Sequence, residues 1–510
     1  MSDVLVLEKI TKKFAKVTAN KDISMNLQKG EVLALLGENG AGKTTLMNCV
    51  CGLYKPTSGK IYVNGTEVEI HGCENATKLG IGMIHQHFML VPELSVAENV
   101  ILGINRPKDF FLKIGEVESE VQKLSELYNF GIDPKALVKN LPIGMQQRVE
   151  IIKTLYRKAD IIILDEATAV LTPSEARELY GIVKKLTKEG KSIVIITHKL
   201  EEVMEMADRI VVLRDGKYIG STLKKDTNVK ELATMMVGRE VLFNFKERTN
   251  SIGDIRLQVE GLTLYNEFAV KKLDNISFNL HAGEIFGVAG VDGNGQIELS
   301  EALTGMMDYQ EGKIIINGKE KRKFSTMESY SNNVSHIPQD RQATGLIMER
   351  SIAKNLVLAD YRKLPFSKNG LMQETAVKEH GQKMINEYRI KAAGEEIAVK
   401  ELSGGNKQKV ILAREIDRKP DILIAVQPTR GLDIGATEFV RQKLLDERNR
   451  GVGVLLISTE LEEILQIADR IAVLFKGSFM GILDKKCTDI GEIGMLMAGV
   501  KNAHYEGELQ

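Results

Sequence analysis

The chain is predicted to be an α/β protein made of two copies of one domain, each a parallel sheet covered by helices on both faces. Three observations carry that expectation. Apolar runs of strand length alternate with segments of helical character, the pattern of strands buried on both sides. Long segments recur once along the chain. And Gly37-Glu38-Asn39-Gly40-Ala41-Gly42-Lys43-Thr44-Thr45 fits G-x-x-x-x-G-K-[ST] between an apolar run and a helical one.

Taken in order, Val32-Leu33-Ala34-Leu35-Leu36 reads as a buried parallel strand, and Thr45-Leu46-Met47-Asn48 leads into a helix. That context separates a phosphate loop from a glycine-rich turn that matches by accident. The glycines turn backbone N–H groups inward on phosphates, and the helix N-terminus adds its positive end. Lys43 is expected to reach the β- and γ-phosphates and the Thr44 hydroxyl to ligate Mg²⁺, so the chain is expected to bind a nucleoside triphosphate. A more helical middle follows, roughly 96 to 158. Strands are then expected at Ile161–Leu164 and Ile193–Ile196, separated by a helix beginning near Pro173. The first of these runs into Asp165-Glu166. At a strand tip beside a phosphate loop, Asp165 suits Mg²⁺ held through water, and Glu166 suits the polarisation of an attacking water. A simple strand cap accounts for one acid, not for two adjacent ones. His198 closes the other strand, where a γ-phosphate contact is needed; the plainer alternative is a satisfied buried histidine.

The bulk properties narrow the function classes. A chain of 510 residues exceeds one core, so two or more domains are expected. Lys+Arg and Asp+Glu balance at 69 each, which disfavours bulk nucleic-acid binding, because that depends on phosphate neutralisation. No apolar run approaches about 18 residues and no signal-peptide pattern opens the chain, so neither a membrane span nor secretion is expected. Of the cysteines Cys49, Cys51, Cys73 and Cys487, the first two follow the phosphate loop. No second Cys/His pair lies at ligand spacing, so buried, reduced thiols are expected rather than a metal site.

The duplication shows in matched segments. Ile23-Ser24-Met25-Asn26-Leu27-Gln28-Lys29-Gly30-Glu31 recurs as Ile276-Ser277-Phe278-Asn279-Leu280-His281-Ala282-Gly283-Glu284. Ser58–Gly65 recurs as Glu311–Gly318, and Ala207-Asp208-Arg209 as Ala468-Asp469-Arg470. Two long copies exclude a solenoid of short repeats. The divisions expected are a first domain at 1–240, a linker at 241–254, a second domain at 255–500 and a polar tail at 501–510.

Together these residues resemble the ATP-binding cassette (ABC) ATPases over nearly the whole chain. The resemblance implies two tandem P-loop NTPase domains. Each would have a RecA-like parallel-sheet core, an antiparallel β subdomain and a helical subdomain bearing the family signature. It implies ATP and Mg²⁺ as cofactors. Phe14 matches the aromatic that stacks on adenine, and Gln86 matches the glutamine joining Mg²⁺ to the surface that grips membrane subunits. Asp165, Glu166 and His198 match the Mg²⁺ acid, the catalytic base and the switch histidine. Leu402-Ser403-Gly404-Gly405-Asn406 matches the signature, which caps the γ-phosphate of nucleotide held by the opposite domain.

The second half departs from the first at the chemistry. Gln296 and Ile297 stand where Lys43 and Thr44 do, Val426-Gln427 replaces Asp165-Glu166, and Thr459 replaces His198. The first half's own signature, Leu141-Pro142-Ile143-Gly144-Met145, lacks the serine hydroxyl, and Pro142 lacks an N–H. In the head-to-tail pairing that the family implies, every loss falls on one composite site. The other site unites Lys43, Thr44, Asp165, Glu166 and His198 with Ser403, Gly405 and Asp433. Thr172, at the place of Asp433, would face the degenerate site. Nucleotide binding without turnover at that second site is left open by Gly283, Gly287, Gly290, Gly293 and Gly295, five possible sources of backbone N–H.

Fused halves of this kind resemble the importers of simple sugars and nucleosides. His85-Gln86-His87-Phe88-Met89-Leu90 and Gln427-Pro428-Thr429-Arg430-Gly431-Leu432-Asp433 point to the nucleoside branch. The partners implied are two permease subunits, gripped near Gln86 and Gln339, and indirectly an external solute-binding lipoprotein. The location implied is the cytoplasmic face of the cell membrane, peripherally bound. One alternative is a soluble twin ATPase acting on ribosomes or nucleic acid, which usually carries a long charged linker and two working sites. Another is a regulatory scaffold without turnover, which the full set around Lys43 argues against.

Overall fold

The structure is a computed structural model that describes residues 2–15, 17–85, 88–104, 113–168, 171, 173–240, 251–266, 268–485, 490–497 and 499–500. It divides into two compact units, Met1–Val241 and Leu242–Gln510.

In the first unit, β1 (Asp3–Phe14), β2 (Val17–Gln28), β4 (Ser58–Val63) and β5 (Thr66–Val68) form an antiparallel sheet in the order β2-β1-β4-β5. Strands β1 and β2 each run twelve residues. Their apolar residues point to one face, so Leu5, Leu7, Ile10, Ile23 and Leu27 enter a core shared with Leu33, Leu35 and Leu46. A second sheet holds β3 (Val32–Leu36), β6 (Ile81–Ile84), β7 (Ile161–Asp165), β8 (Ser192–Thr197), β9 (Arg209–Arg214) and β10 (Lys217–Leu223), ordered β10-β9-β3-β8-β7-β6. All its pairings are parallel except that of β10 with β9. Every residue of β3, β7 and β8 is buried, which accounts for their uninterrupted apolar runs. The other core packs Val32, Ile162 and Ile193 against the helices Val96–Ile101, Ile114–Leu127 and Ile143–Tyr156.

The second unit repeats this plan. Strands β11 (Ile255–Tyr265), β12 (Lys271–His281), β14 (Glu311–Ile316) and β15 (Lys319–Lys321) give the order β12-β11-β14-β15. Strands β13 (Ile285–Ala289), β16 (Val334–Ile337), β19 (Ile422–Val426), β20 (Gly453–Ser458), β21 (Arg470–Phe475) and β22 (Ser478–Asp484) give β16-β19-β20-β13-β21-β22. The offset between equivalent elements is 253 for Ile81 against Val334, 256 for Val96 against Ile352, and 261 for Val138 against Val399. The two steps coincide with features of the second unit: a π-helical turn, Arg341–Gly345, and a hairpin of β17 (Ser367–Lys368) and β18 (Leu371–Met372).

One charge pair joins the two sheets in each unit. Glu31, in the turn between β2 and β3, accepts from Arg209 Nε at 2.7 Å and Nη2 at 3.0 Å. The same guanidinium donates to the Asn26 carbonyl at 2.8 Å, and Gln28 N–H donates to Glu31 at 2.8 Å. The neighbouring Asp208 accepts from the N–H of Val32 at 2.9 Å. In the second unit Arg470 holds Glu284 at 2.6 and 3.2 Å, and Asp469 accepts from Ile285 N–H at 2.8 Å. Glu31→Ala leaves Arg209 without its partner. It is expected to destabilise the first unit by about 2 kcal/mol, less than for breaking a fully buried pair, because Arg209 remains partly exposed to solvent. Calorimetry of the full chain would show that unit's transition falling while the second unit's stays in place.

Candidate functional site

The strand order sets three loops side by side. Because β8 lies between β3 and β7, the segments after β3, β8 and β7 share the carboxyl edge of the sheet, where open α/β sheets bind ligands. The phosphate loop leaves β3 here and ends at the helix Lys43–Val50. At its tip Gly42 takes φ +92, a left-handed conformation open to glycine, and a side chain there would meet the Ala19 carbonyl oxygen at 2.4 Å. Asn20, fully buried on β2, donates to the Gly42 carbonyl at 2.9 Å and so pins the loop to the antiparallel sheet. The sequence reading missed Asn20, because a lone polar residue in a strand carries no motif.

Lys43 is buried, and its ammonium donates to the carbonyls of Gly37 at 2.7 Å and Glu38 at 3.0 Å. It is thus held over the loop that the glycines form. The Thr44 hydroxyl donates to Asp165 Oδ1 at 3.2 Å. Burial pushes the Asp165 carboxyl up to about 6, with the Glu166 charge adding to the rise and the Thr44 hydrogen bond opposing it. Glu166 accepts at Oε1 from His198 Nδ1 at 3.0 Å, and that contact holds its carboxyl below the usual range. Its backbone is left-handed, φ 46, while its N–H donates to the Ile196 carbonyl at 2.9 Å. Such strain in a non-glycine residue persists where the surroundings impose it, as at functional sites. Glu202, buried on the next helix, accepts from Thr168 and, at 2.9 Å, from Thr197, and so fixes the strand end that carries His198.

The structure therefore brings Gly37 to Thr45, Asp165, Glu166 and His198 together. Phe14 ends β1 half-exposed, edge-to-face with Tyr54 at 5.2 Å and with Lys12 Nζ 4.9 Å from its ring centre. Gln86 and Thr172 lie outside the described residues, as does Cys487; Cys49 and Cys51 are both buried. One hydroxyl and one carboxylate are hard oxygen donors that fit Mg²⁺ completed by phosphates and water. Among the described residues no cluster of three or more His, Cys, Asp or Glu offers a metal cage of its own.

In the second unit the same positions are filled by groups that satisfy one another. Gln296 Nε2 donates to the Val291 carbonyl at 2.8 Å and Gln296 Oε1 accepts from Asn294 N–H at 3.0 Å. Val426 is buried in Asp165's place. Gln427 keeps the left-handed backbone, φ 48, and its Oε1 accepts from the N–H of Thr459 at 3.3 Å and its hydroxyl at 3.2 Å. Of the five glycines given as possible sources of backbone N–H, three lie on the loop. Gly287 lies inside β13 and Gly283 sits at that strand's other end, leaving Gly290, Gly293 and Gly295 on the loop. Ser403 caps the helix Gly404–Asp417, accepting from Asn406 N–H at 3.4 Å and Asn406 Nδ2 at 2.9 Å. Asp433 caps the helix Ile434–Asn449, and a side chain on Gly405 would lie 3.6 Å from its carboxylate, so Ser403, Gly404, Gly405, Asn406 and Asp433 form one cluster. In the first unit Pro142 precedes the equivalent helix, Ile143–Tyr156, with no side-chain cap.

A family model described as ABC transporter matches residues 20–169 and 273–430. The chain is 45% identical over 496 residues to the nucleoside import ATP-binding protein NupA of Lactococcus lactis subsp. cremoris, covering 97% of this chain and 98% of that one. It is 47% identical over 504 residues to the guanosine import ATP-binding protein NupO of Bacillus subtilis, covering 98% of each. The ribose import ATP-binding protein RbsA of Clostridium tetani is 38% identical over 484 residues, 94% of this chain and 95% of its own. Among solved structures, archaeal ribosome recycling factor aABCE1 in complex with the stalk protein aP1 matches with a TM-score of 0.59. It is 18% identical, with 93% and 90% of the chains covered, a likeness of fold alone. No helix among the described residues is long and apolar enough to cross a membrane.

A carboxyl raised on folding binds its proton more tightly in the native state, so its ionisation costs stability as pH rises from about 3.8 to about 6. Asp165→Asn is expected to remove that loss. The variant's stability relative to the parent should increase across this window, and a flat difference in urea unfolding against pH would contradict the assignment.

Proposed function

The chain belongs to the ABC transporter family as one of its ATP-binding proteins, and from that premise we propose that it is the ATP-hydrolysing motor subunit of a nucleoside importer. The observation that carries the reading is the Glu166–His198 contact beside Lys43 and Asp165, set in a chain that runs end to end with nucleoside-import relatives. Lys43 and the loop N–H groups hold the β- and γ-phosphates of ATP. Thr44, Asp165 and, through the family resemblance, Gln86 hold Mg²⁺. Glu166 orients the attacking water and draws its proton, while His198 fixes the Glu166 carboxylate and faces the γ-phosphate. Phe14 packs on the base.

In this reading Ser403, Gly404, Gly405, Asn406 and Asp433 complete the site from the second half. The two halves act as an internal pseudo-dimer with one working site. The equivalent positions Gln296, Ile297, Val426, Gln427 and Thr459 supply no point charge, no Mg²⁺ ligand and no base, so the second site does not hydrolyse. Two permease subunits, gripped near Gln86 and Gln339, carry the solute across the cell membrane, with the chain bound at the cytoplasmic face. An external solute-binding lipoprotein delivers the solute. Relatives at 36–47% identity over nearly the full length are import proteins, so action on ribosomes or nucleic acid is not favoured.

Glu166→Gln is expected to retain bound ATP while turnover falls by about 10² to 10⁴, the worth of a positioned base. Gln427→Glu is expected to add no second hydrolysing site; a rise in turnover would contradict the asymmetry. In proteoliposomes holding the chain with its permeases and binding protein, guanosine or another nucleoside should stimulate phosphate release. Stimulation by ribose in place of nucleosides would overturn the solute.

A further inference from the structure

The second unit contains an arginine that the site above leaves unused. Asp340 accepts from the N–H groups of Gln342 at 2.8 Å and Ala343 at 2.9 Å, and so starts the π-helical turn Arg341–Gly345. Turns of this type cluster at functional sites. The turn lies along the signature helix and is tied to it twice. Far along that helix, Arg414, buried and paired with Glu415, donates to the Gly345 carbonyl at 2.9 Å. At its start, Arg341 Nη1 donates to the Gly404 carbonyl at 3.3 Å, one residue from Ser403. The other arm of the same guanidinium donates to the Arg430 carbonyl, three residues before Asp433. Arg430 in turn reaches Asp292 of the altered phosphate loop, 3.2 Å from Nη1 to Oδ2.

The first unit supplies the contrast. It keeps the far tie, since Lys153 donates to the Met89 carbonyl at 2.8 Å. When Gln86 is set against Gln339, Phe88 stands in Arg341's place, and the signature on that side is the altered one. Among the described residues of the first unit no arginine makes the near tie. The arginine fork thus accompanies the intact signature.

We propose that Arg341 is the positioning residue of the signature. It sets Ser403 and Asp433 in register through its two arms, and Arg430 and Asp292 extend the tie to the altered phosphate loop. That loop, released from hydrolysis, then serves as an anchor for the helix that carries Ser403. The proposal rests on the reading that Ser403 serves ATP held at Lys43. A planar fork spans two carbonyls in fixed geometry, whereas a lysine ammonium is a single flexible point.

The test is MgATP hydrolysis by the full-length chain and its variants, with kcat and KM taken separately. Arg341→Ala is expected to lower kcat about ten-fold with KM nearly unchanged, a size typical of coupling residues. Arg341→Lys, which retains charge and bulk, should recover little. Asp292→Asn should cost at most about five-fold, since its partner is a half-exposed ion pair, and should add nothing in the Arg341→Ala background. Ser403→Ala is the control on the underlying reading. If Ser403→Ala lowers kcat while both Arg341 variants keep it, the positioning role is wrong and the shared site stands. If Ser403→Ala itself keeps kcat, the shared site is wrong. Full recovery by lysine, or a loss in KM and melting temperature alone, would reduce Arg341 to a packing residue and overturn the proposal.

Discussion

The part-buried charge pair between the β2–β3 turn and β9 is the constraint on which each unit rests. Glu31 and Arg209 meet through two hydrogen bonds; the guanidinium also donates to the Asn26 carbonyl and side-chain oxygen, and Glu31 accepts from the Gln28 N–H. A part-buried pair satisfied in this way adds little net energy over an apolar pair, but few other arrangements of the chain satisfy it. Its effect is geometric: it fixes how the antiparallel sheet meets the strand that launches the phosphate loop. The Asn20 contact then holds the loop's tip to the same sheet.

The second unit repeats this frame around different side chains. Glu284 and Arg470 repeat the pair, and the strand order repeats with them. At the strand tips the side chains differ, and two of the altered ones find partners inside their own unit: Gln296 with Val291, and Gln427 with Thr459. Leu273 takes the place of Asn20 and packs under Gly295 without a polar contact. A glutamine in the site of a buried lysine needs no compensating charge, so the second unit closes its loop without a buried ion.

Much of this was legible from residues alone, for a physical reason. Loops that hold phosphate need glycine, lysine and a hydroxyl at fixed intervals, and strands buried on both faces need unbroken apolar runs; both leave local patterns. Hence the core strands fall within a residue or two of expectation: Val32–Leu36, Ile161–Asp165 and Ser192–Thr197. Contacts between distant residues leave none. Glu31 and Arg209 both stood in repeated segments, yet 178 positions of chain separate them and their meeting was invisible. Arg341 was missed because it sits in a stretch without periodicity. Nor does spacing along a chain reveal that Gly287 is inside a strand.

Gln427 has the same left-handed backbone as Glu166, although its side chain is a neutral amide. A residue with a Cβ is strained there, and glycine would relieve that strain. The turn in which it sits is held by its neighbours: the Gln427 N–H donates to the Ile457 carbonyl at 2.8 Å, as the Glu166 N–H does to that of Ile196. At this edge of the sheet the two copies therefore differ in side chains, at positions 296, 297, 426, 427 and 459, while the turn that carries Glu166 in one and Gln427 in the other keeps the same backbone conformation.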